Sequence, residues 1–103
     1  MKIQINFGDI DGSEALSAET TRCVESALEP FASRVTRVEV HLRDDKQNRR
    51  GPDDHRCMME VRLAGEQPFA VESAGGDIYE AVRDAGAKLR RAVQRRLEKR
   101  EAT

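Results

Sequence analysis

The stretch from Asp77 to Arg100 does most to constrain the fold, because its apolar residues recur with a helical period and fill one face at about 100° per residue. Asp77 suits the N-cap position, and Glu80 follows three residues later, as in a capping box. The apolar stripe consists of Ile78, Ala81, Val82, Ala85, Leu89, Ala92, Val93 and Leu97. The sequence therefore predicts a long amphipathic helix with one face that must be buried.

Basic side chains gather on this helix. Residues 83–100 contain eight Lys or Arg against two acids, whereas residues 1–33 contain two against six. A formal net charge of −1 thus hides a polarised chain, and such polarity can orient a protein on an anionic surface. Arg83 and Arg90 fall on one flank of the apolar face. The competing interpretation is that the basic side chains of this helix only keep the protein soluble. The cationic ridge, on the other flank, consists of Lys88, Arg91, Arg95 and Lys99.

Four segments alternate between apolar and polar residues, which is typical of strands with one buried face. They span residues 2–7, 35–43, 55–63 and 68–73. A helix from Glu14 to about Glu29 separates the first two, with Ser13 as its N-cap and Pro30 ending it. We therefore predict an α+β fold in the order β-α-β-β-β-α. Two helices lie on one face of a four-stranded sheet, whose last three strands form an antiparallel meander.

The length of 103 residues fits a single domain, residues 1–103. Within it, the polar segment 44–54 predicts a mobile hairpin loop, and residues 98–103 predict a frayed tail. No apolar run approaches the roughly 20 residues of a membrane span, and the N-terminus does not resemble a signal peptide. These features favour a cytoplasmic protein, in which Cys23 and Cys57 are expected to be buried thiols.

Residues with catalytic or ligating chemistry are scattered. His41, His55 and the two cysteines lack the spacing of a zinc site, and the acids of residues 44–54 lack that of a calcium loop. Gly75 and Gly76 suit a helix entry better than a phosphate loop. No nucleophile, base and orienting group occur together. We therefore expect no enzyme, no metal ion and no cofactor.

Three stretches carry a family resemblance. They are Val38–Asp44, Cys57–Gly65, and Asp77–Val82 followed by Lys88, Leu89 and Arg91. Together with the order of elements, they resemble the ribosome hibernation-promoting factors, also called ribosome-associated inhibitors or sigma-54 modulation proteins. The resemblance covers nearly the whole chain and is closest to the short, single-domain form.

This resemblance implies a fold like a double-stranded-RNA-binding domain with an added first strand. It also implies binding in the decoding region of the small ribosomal subunit, between head and body, where messenger and transfer RNA would otherwise lie. Translation would thereby be inhibited in stationary phase, as a stress response. The residues implied to contact RNA are Lys88, Arg91, Arg95 and Lys99, and we add Arg83, Arg90 and Tyr79 as candidates. Tyr79 either stacks on a base or packs half-buried at the helix start.

The expected partner is the small ribosomal subunit and its RNA, with neither DNA nor a membrane, and with a monomer away from the ribosome. The alternative is a protein-interaction module of the same fold that regulates a cytosolic partner without strong RNA binding. Ridge cations paired with acids of the hairpin loop would favour this alternative. Those acids are Asp44, Asp45, Asp53 and Asp54.

Overall fold

The computed structural model describes residues 1–44 and 55–101. The elements are β1 (Lys2–Phe7), α1 (Glu14–Leu28), a 3-10 helix (Glu29–Arg34), β2 (Val35–Asp44), β3 (His55–Leu63), β4 (Phe69–Gly75) and α2 (Ile78–Glu101). The predicted order β-α-β-β-β-α is confirmed, with the short 3-10 helix as an addition.

The four strands form one sheet in the order β1-β2-β3-β4. Strands β2, β3 and β4 pair antiparallel, which confirms the predicted meander. Strand β1 pairs parallel to β2, with Lys2 opposite Arg37. A parallel pair needs a crossover connection, and α1 with the 3-10 helix supplies it. The sheet is therefore mixed.

The core lies between the sheet and the two helices. In β2 the residues Val38 and Val40 are 0% exposed, as their alternation predicts. Side chains from both helices join this cluster, including Val24 and Leu28 of α1 and Leu89 of α2. The fully buried side chains of β3 are Cys57, Met59, Val61 and Leu63. Burial of this apolar surface is what holds the two layers together.

Several element ends differ from prediction. Helix α1 ends at Leu28, and Pro30 lies in the first turn of the 3-10 helix, where its missing N–H costs little. Asp44, predicted in the loop, instead ends β2 opposite His55. The rest of the predicted loop, residues 45–54, lies outside the described residues. Helix α2 continues to Glu101, while residues 102–103 of the predicted tail are also outside the described residues.

Glycine is required where β4 meets α2. A Cβ on Gly75 would lie 2.9 Å from the amide nitrogen of Ala81 and 3.2 Å from the carbonyl oxygen of Asp77. Both are backbone atoms, so neither can move away at little cost. In the β3–β4 turn, Gly65 has a φ of 77°, which glycine adopts without a steric penalty. The close approach at Gly75 fixes the start of α2 against the end of β4.

Candidate nucleic-acid interface

Helix α2 begins with a network of backbone caps. The Asp77 carboxylate oxygen Oδ1 accepts a hydrogen bond of 2.9 Å from the amide of Glu80. The Glu80 carboxylate accepts a hydrogen bond of 3.2 Å from the backbone amide of Gly76. In a standard capping box the donor would be the amide of the N-cap residue, Asp77, one residue later. The Asp77 carbonyl oxygen accepts from the amide of Ala81 at 3.2 Å. These bonds satisfy first-turn donors and set the direction of the helix.

The body of α2 is a rigid support for its exposed side chains. Its 24 residues correspond to a length of about 36 Å. The helix packs against β3, β4 and α1. Its buried residues are Ala81, Val82, Ala85, Gly86, Leu89, Val93 and Leu97. Because one face is fixed along the whole length, the charges on the other faces keep their relative positions.

The cationic ridge is exposed to solvent at all four positions: Lys88, Arg91, Arg95 and Lys99. Within the part of the chain that the structure describes, the side chains of Arg91, Arg95 and Lys99 form no hydrogen bond or ion pair. Lys88 Nζ donates a hydrogen bond of 2.8 Å to the backbone carbonyl oxygen of Glu72 in β4. That contact does not neutralise the Lys88 charge, since its acceptor is not a carboxylate. The ridge can therefore present four positive charges to an anion.

Among the described residues, two acids near the ridge form contacts with groups other than the ridge cations. Glu98 accepts a hydrogen bond of 3.1 Å from Gln94, and Glu101 pairs with Arg34 at 3.3 Å. Asp84 is different, because it is exposed one helical turn before Lys88 and so lies in line with the ridge. Its charge weakens the positive potential at the N-terminal end of the ridge.

Two further cations of α2 stabilise the fold. Arg96 pairs with Glu66 at 3.6 Å and lies over the ring of Phe69, 4.2 Å from its centroid. Arg100 pairs with Glu66 at 3.2 Å and donates to the carbonyl oxygen of Ala64 at 3.4 Å. These contacts tie the end of α2 to the β3–β4 turn. Arg96 and Arg100 are therefore not counted among the cations available to bind an anion.

Arg83 and Arg90 lie on the flank of α2 that faces α1, where both border a small groove with Arg22. Arg22 is already committed, since its guanidinium lies 2.6 Å from Glu19. This hydrogen bond lowers the pKa of Glu19 and raises the pKa of Arg22. The positive charge of Arg83 also lowers the pKa of Glu19. At 100° per residue, Arg83 and Arg90 are roughly 120–150° around the helix from the ridge. A single flat surface therefore cannot contact both sets.

Tyr79 is half-buried and packs against the hydrophobic core together with Ile78. This geometry favours the packing role over base stacking, and any contact between Tyr79 and RNA stays a prediction.

The titratable groups elsewhere do not assemble a reactive site. Burial raises the pKa of the Cys57 thiol to about 12. Desolvation, followed by the nearby Glu19 carboxylate, also raises the pKa of Cys23, which is only partly buried. Across residues 1–44 and 55–101, no cluster of three or more His, Cys, Asp or Glu could hold a metal ion. Neither helix in these ranges has the length and apolar character to cross a bilayer.

The acids of the predicted loop bear on the alternative function. The Asp44 carboxylate lies 2.5 Å from His55 Nδ1, and its backbone amide donates to the Asp9 carboxylate at 3.0 Å. Asp44 is thus engaged at the base of the β2–β3 hairpin and not with the ridge. Asp45, Asp53 and Asp54 lie outside the described residues.

The fold and the sequence together decide the family. The profile described as "Sigma 54 modulation protein / S30EA ribosomal protein" matches residues 3–101, nearly the whole chain. The chain belongs to this family. No curated protein matches it. The resemblance drawn from the residues alone is therefore confirmed.

Two solved structures share the fold of this family member. A ribosomal subunit interface protein from Coxiella burnetii is 20% identical, with a TM-score of 0.77 and all of both chains covered. The N-terminal domain of Protein Y from Thermus thermophilus is 18% identical, with a TM-score of 0.74, covering 92% of this chain and 98% of that one. At these identities the likeness establishes the α+β architecture.

A second group of cations was not singled out by sequence reasoning. Lys2, Arg37 and Arg62 lie opposite one another on the sheet face away from the helices. Alternation within each strand places them on that face, but only the register between strands brings them into one row. A single sequence carries no direct signal for that register.

Proposed function

We propose that this protein binds the decoding region of the small ribosomal subunit through the cationic ridge and inhibits translation while it is bound. The observation that carries the proposal is the set of exposed ridge charges at Arg91, Arg95 and Lys99, which no described acid neutralises. Family membership and structural likeness to a protein titled a ribosomal subunit interface protein support it. The site of action would be the cytoplasm.

Phosphate contacts explain how the ridge would bind. Each phosphate that a cation neutralises releases condensed counterions, so the logarithm of affinity falls with that of salt by roughly 0.7–0.9 per contact. Four ridge contacts give a slope of about 3–4. The planar guanidinium groups of Arg91 and Arg95 can each engage two phosphate oxygens. Such contacts recognise the shape and backbone of folded RNA and not a sequence.

Inhibition would follow from occupancy alone. A folded domain seated between head and body of the subunit would exclude messenger and transfer RNA from the same space. This mechanism needs neither an enzymatic step nor a cofactor. It predicts competition: bound protein should be displaced by messenger and transfer RNA at sufficient concentration, in proportion to their own affinities.

The direct test is co-sedimentation with purified small subunits across about 50 to 200 mM salt. The ridge variant carries Lys88→Gln, Arg91→Gln and Arg95→Gln, and we expect it to lose most of its binding. The matched control carries Arg22→Gln, Arg34→Gln and Arg100→Gln, which removes the same net charge from arginines already paired with Glu19, Glu101 and Glu66. Equal binding by the two variants would reject the ridge as the contact surface.

The location on the subunit needs its own test. Chemical probing of the small-subunit RNA should show protection in the decoding region with the wild-type protein and not with the ridge variant. Protection confined to another region would disprove decoding-region binding, even if co-sedimentation succeeded.

A further inference from the structure

The uncovered face of the sheet places like charges opposite one another. Lys2 of β1 lies opposite Arg37 of β2, which in turn lies opposite Arg62 of β3. In the next row Glu39 lies opposite Glu60. Opposite charges in such cross-strand pairs stabilise a sheet, and like charges destabilise it. These cross-strand pairs therefore do not themselves stabilise the domain. We name the three cations Lys2, Arg37 and Arg62 the cationic row.

A backbone irregularity in β2 lies next to Arg37, the central residue of the cationic row. The register between β2 and β3 shifts between Val35 and Arg37, as in a β-bulge. As a result Val35 is buried while both Thr36 and Arg37 are exposed. The Thr36 hydroxyl donates to the carbonyl oxygen of Arg62 at 3.1 Å, which fastens the irregularity to β3. Bulges commonly re-aim side chains near functional sites.

Two of the three cations in the row have a positive charge that no described acid neutralises. Arg37 donates to Gln4 at 2.9 Å and also pairs with Glu39. Lys2 and Arg62 are exposed, and neither side chain forms a hydrogen bond or ion pair with any residue of the two described segments. With Thr36, Glu39 and Glu60, the row surrounds a depression of about 350 Å³. Three cations thus border a concave surface opposite the helix layer.

We propose that the cationic row is a second phosphate-binding site, which holds the sugar-phosphate backbone of RNA against the sheet. The inference rests on the proposed function for its choice of partner, and it adds a contact surface remote from the ridge. With strands about 4.8 Å apart, three cations in register extend over about 10 Å. A repeating polyanion can meet all three at once.

Ribose chemistry favours RNA over an acidic protein segment. The neighbouring carboxylates of Glu39 and Glu60 can only accept hydrogen bonds when ionised. Ribose 2′-hydroxyl groups are donors that alternate with phosphates along an RNA strand. The carboxylate side chains of an acidic peptide offer no such donor to Glu39 and Glu60. The three cations can therefore bind phosphates of an RNA strand while the neighbouring carboxylates accept hydrogen bonds from its ribose hydroxyl groups.

Two binding surfaces on opposite layers change what the domain can do. The ridge lies on the helix layer and the cationic row on the sheet layer, so one domain can contact two separate RNA segments at once. The second contact is then effectively intramolecular, which raises the total affinity beyond that of either surface alone.

The experiment measures the salt dependence of small-subunit binding for a row variant, Lys2→Gln with Arg62→Gln. The control is Arg22→Gln with Arg34→Gln, an equal charge change at paired sites. Two lost phosphate contacts should reduce the slope by about 1.4–1.8. An unchanged slope and affinity for the row variant, alongside a weakened ridge variant, would overturn the second site and leave the proposed function standing.

The urea midpoint of the row variant distinguishes a binding role of these cations from a structural role. Removing two of three opposed cations should leave the urea midpoint unchanged or raise it, while RNA affinity falls. A binding loss that is matched by a fall in the urea midpoint would contradict the proposal.

A third measurement separates the two proposals if the wild-type protein fails to bind small subunits. Amide signals of the protein are followed by NMR as an RNA duplex of about 16 base pairs is added. Shifts at Thr36, Arg37 and Arg62 that are lost in the row variant support the site, and unmoved signals overturn it. Polyglutamate that causes the same shifts at equal charge would replace RNA with an acidic protein as the partner.

Discussion

Lys88 Nζ donates a hydrogen bond of 2.8 Å to the backbone carbonyl oxygen of Glu72. This contact joins the first cation of the ridge to β4, the outer strand of the sheet that residues 1–44 and 55–101 form. It satisfies a carbonyl that would otherwise face solvent at a sheet edge, where unwanted strand pairing begins. Lys88 therefore has a side-chain contact within the fold, whereas Arg91 and Arg95 have none with the residues that the structure describes.

The ridge residues should contribute unequally to ribosome binding. Arg91→Gln or Arg95→Gln should each weaken small-subunit binding several-fold at moderate salt, because each removes one phosphate contact and lowers the salt slope by about 0.7–0.9. Lys88→Gln should have a smaller effect, because its bond to Glu72 must be exchanged for the phosphate. Titrations by co-sedimentation measure this order, and the largest loss at Lys88 would refute it.

Removing the acid in line with the ridge should strengthen binding. Asp84→Asn deletes a negative charge one turn before Lys88, so affinity should increase, while the salt slope stays the same because the number of phosphate contacts does not change. The control is Glu14→Gln, the same charge change on α1, which should have little effect. Equal gains from both variants would point to net charge and not to the ridge.

Two glycines should respond in opposite directions to alanine. A Cβ on Gly86 would lie 3.7 Å from the Cys23 carbonyl oxygen, an ordinary contact. Gly86→Ala should therefore stabilise the protein by about 0.5–1 kcal/mol through helix propensity. Gly75→Ala should destabilise it by roughly 1–3 kcal/mol, since its Cβ would lie 2.9 Å from the Ala81 amide nitrogen. Urea unfolding measures both, and equal signs would contradict the packing described.

Alkaline pH should destabilise the fold through Cys57. Burial raises the folded pKa of this thiol to about 12, whereas an unfolded thiol titrates near 8.5. Above that value the unfolded state has lost its proton and the folded state has not, so stability falls as pH rises toward 12. The loss should approach about 1.4 kcal/mol per pH unit. Unfolding measured from pH 8 upward should show a shallower decline in Cys57→Ala.

Alternation and helical period were sufficient to predict most of the fold. Strands β1 and β3 have the predicted bounds, and Val38, Met59 and Leu89 are buried as their spacing indicates. The parallel pairing of β1 with β2 was not predicted, because it depends on long-range contacts that no local pattern encodes. The extra 3-10 helix was also missed, since Pro30 stops an α-helix but equally well starts another turn.

The candidate site was predictable only in part. Helical spacing placed the ridge on one flank, and the structure confirms the exposure of its members. Spacing could not reveal that Arg96 and Arg100 are held by Glu66, because that acid lies in a different element. Nor could it join Lys2 to Arg62, which are separated by two strand pairings.

The parallel pairing of β1 has a consequence for the order in which the strands of the complete chain assemble. Lys2 pairs with Arg37 of β2, across the whole of α1 and the 3-10 helix. Strands β3 and β4 each pair with the strand that immediately precedes them in the sequence. Closing the longer loop costs more chain entropy, so long-range pairings form late. When the complete chain refolds from denaturant, β1 is therefore expected to be the last of the four strands to join the sheet.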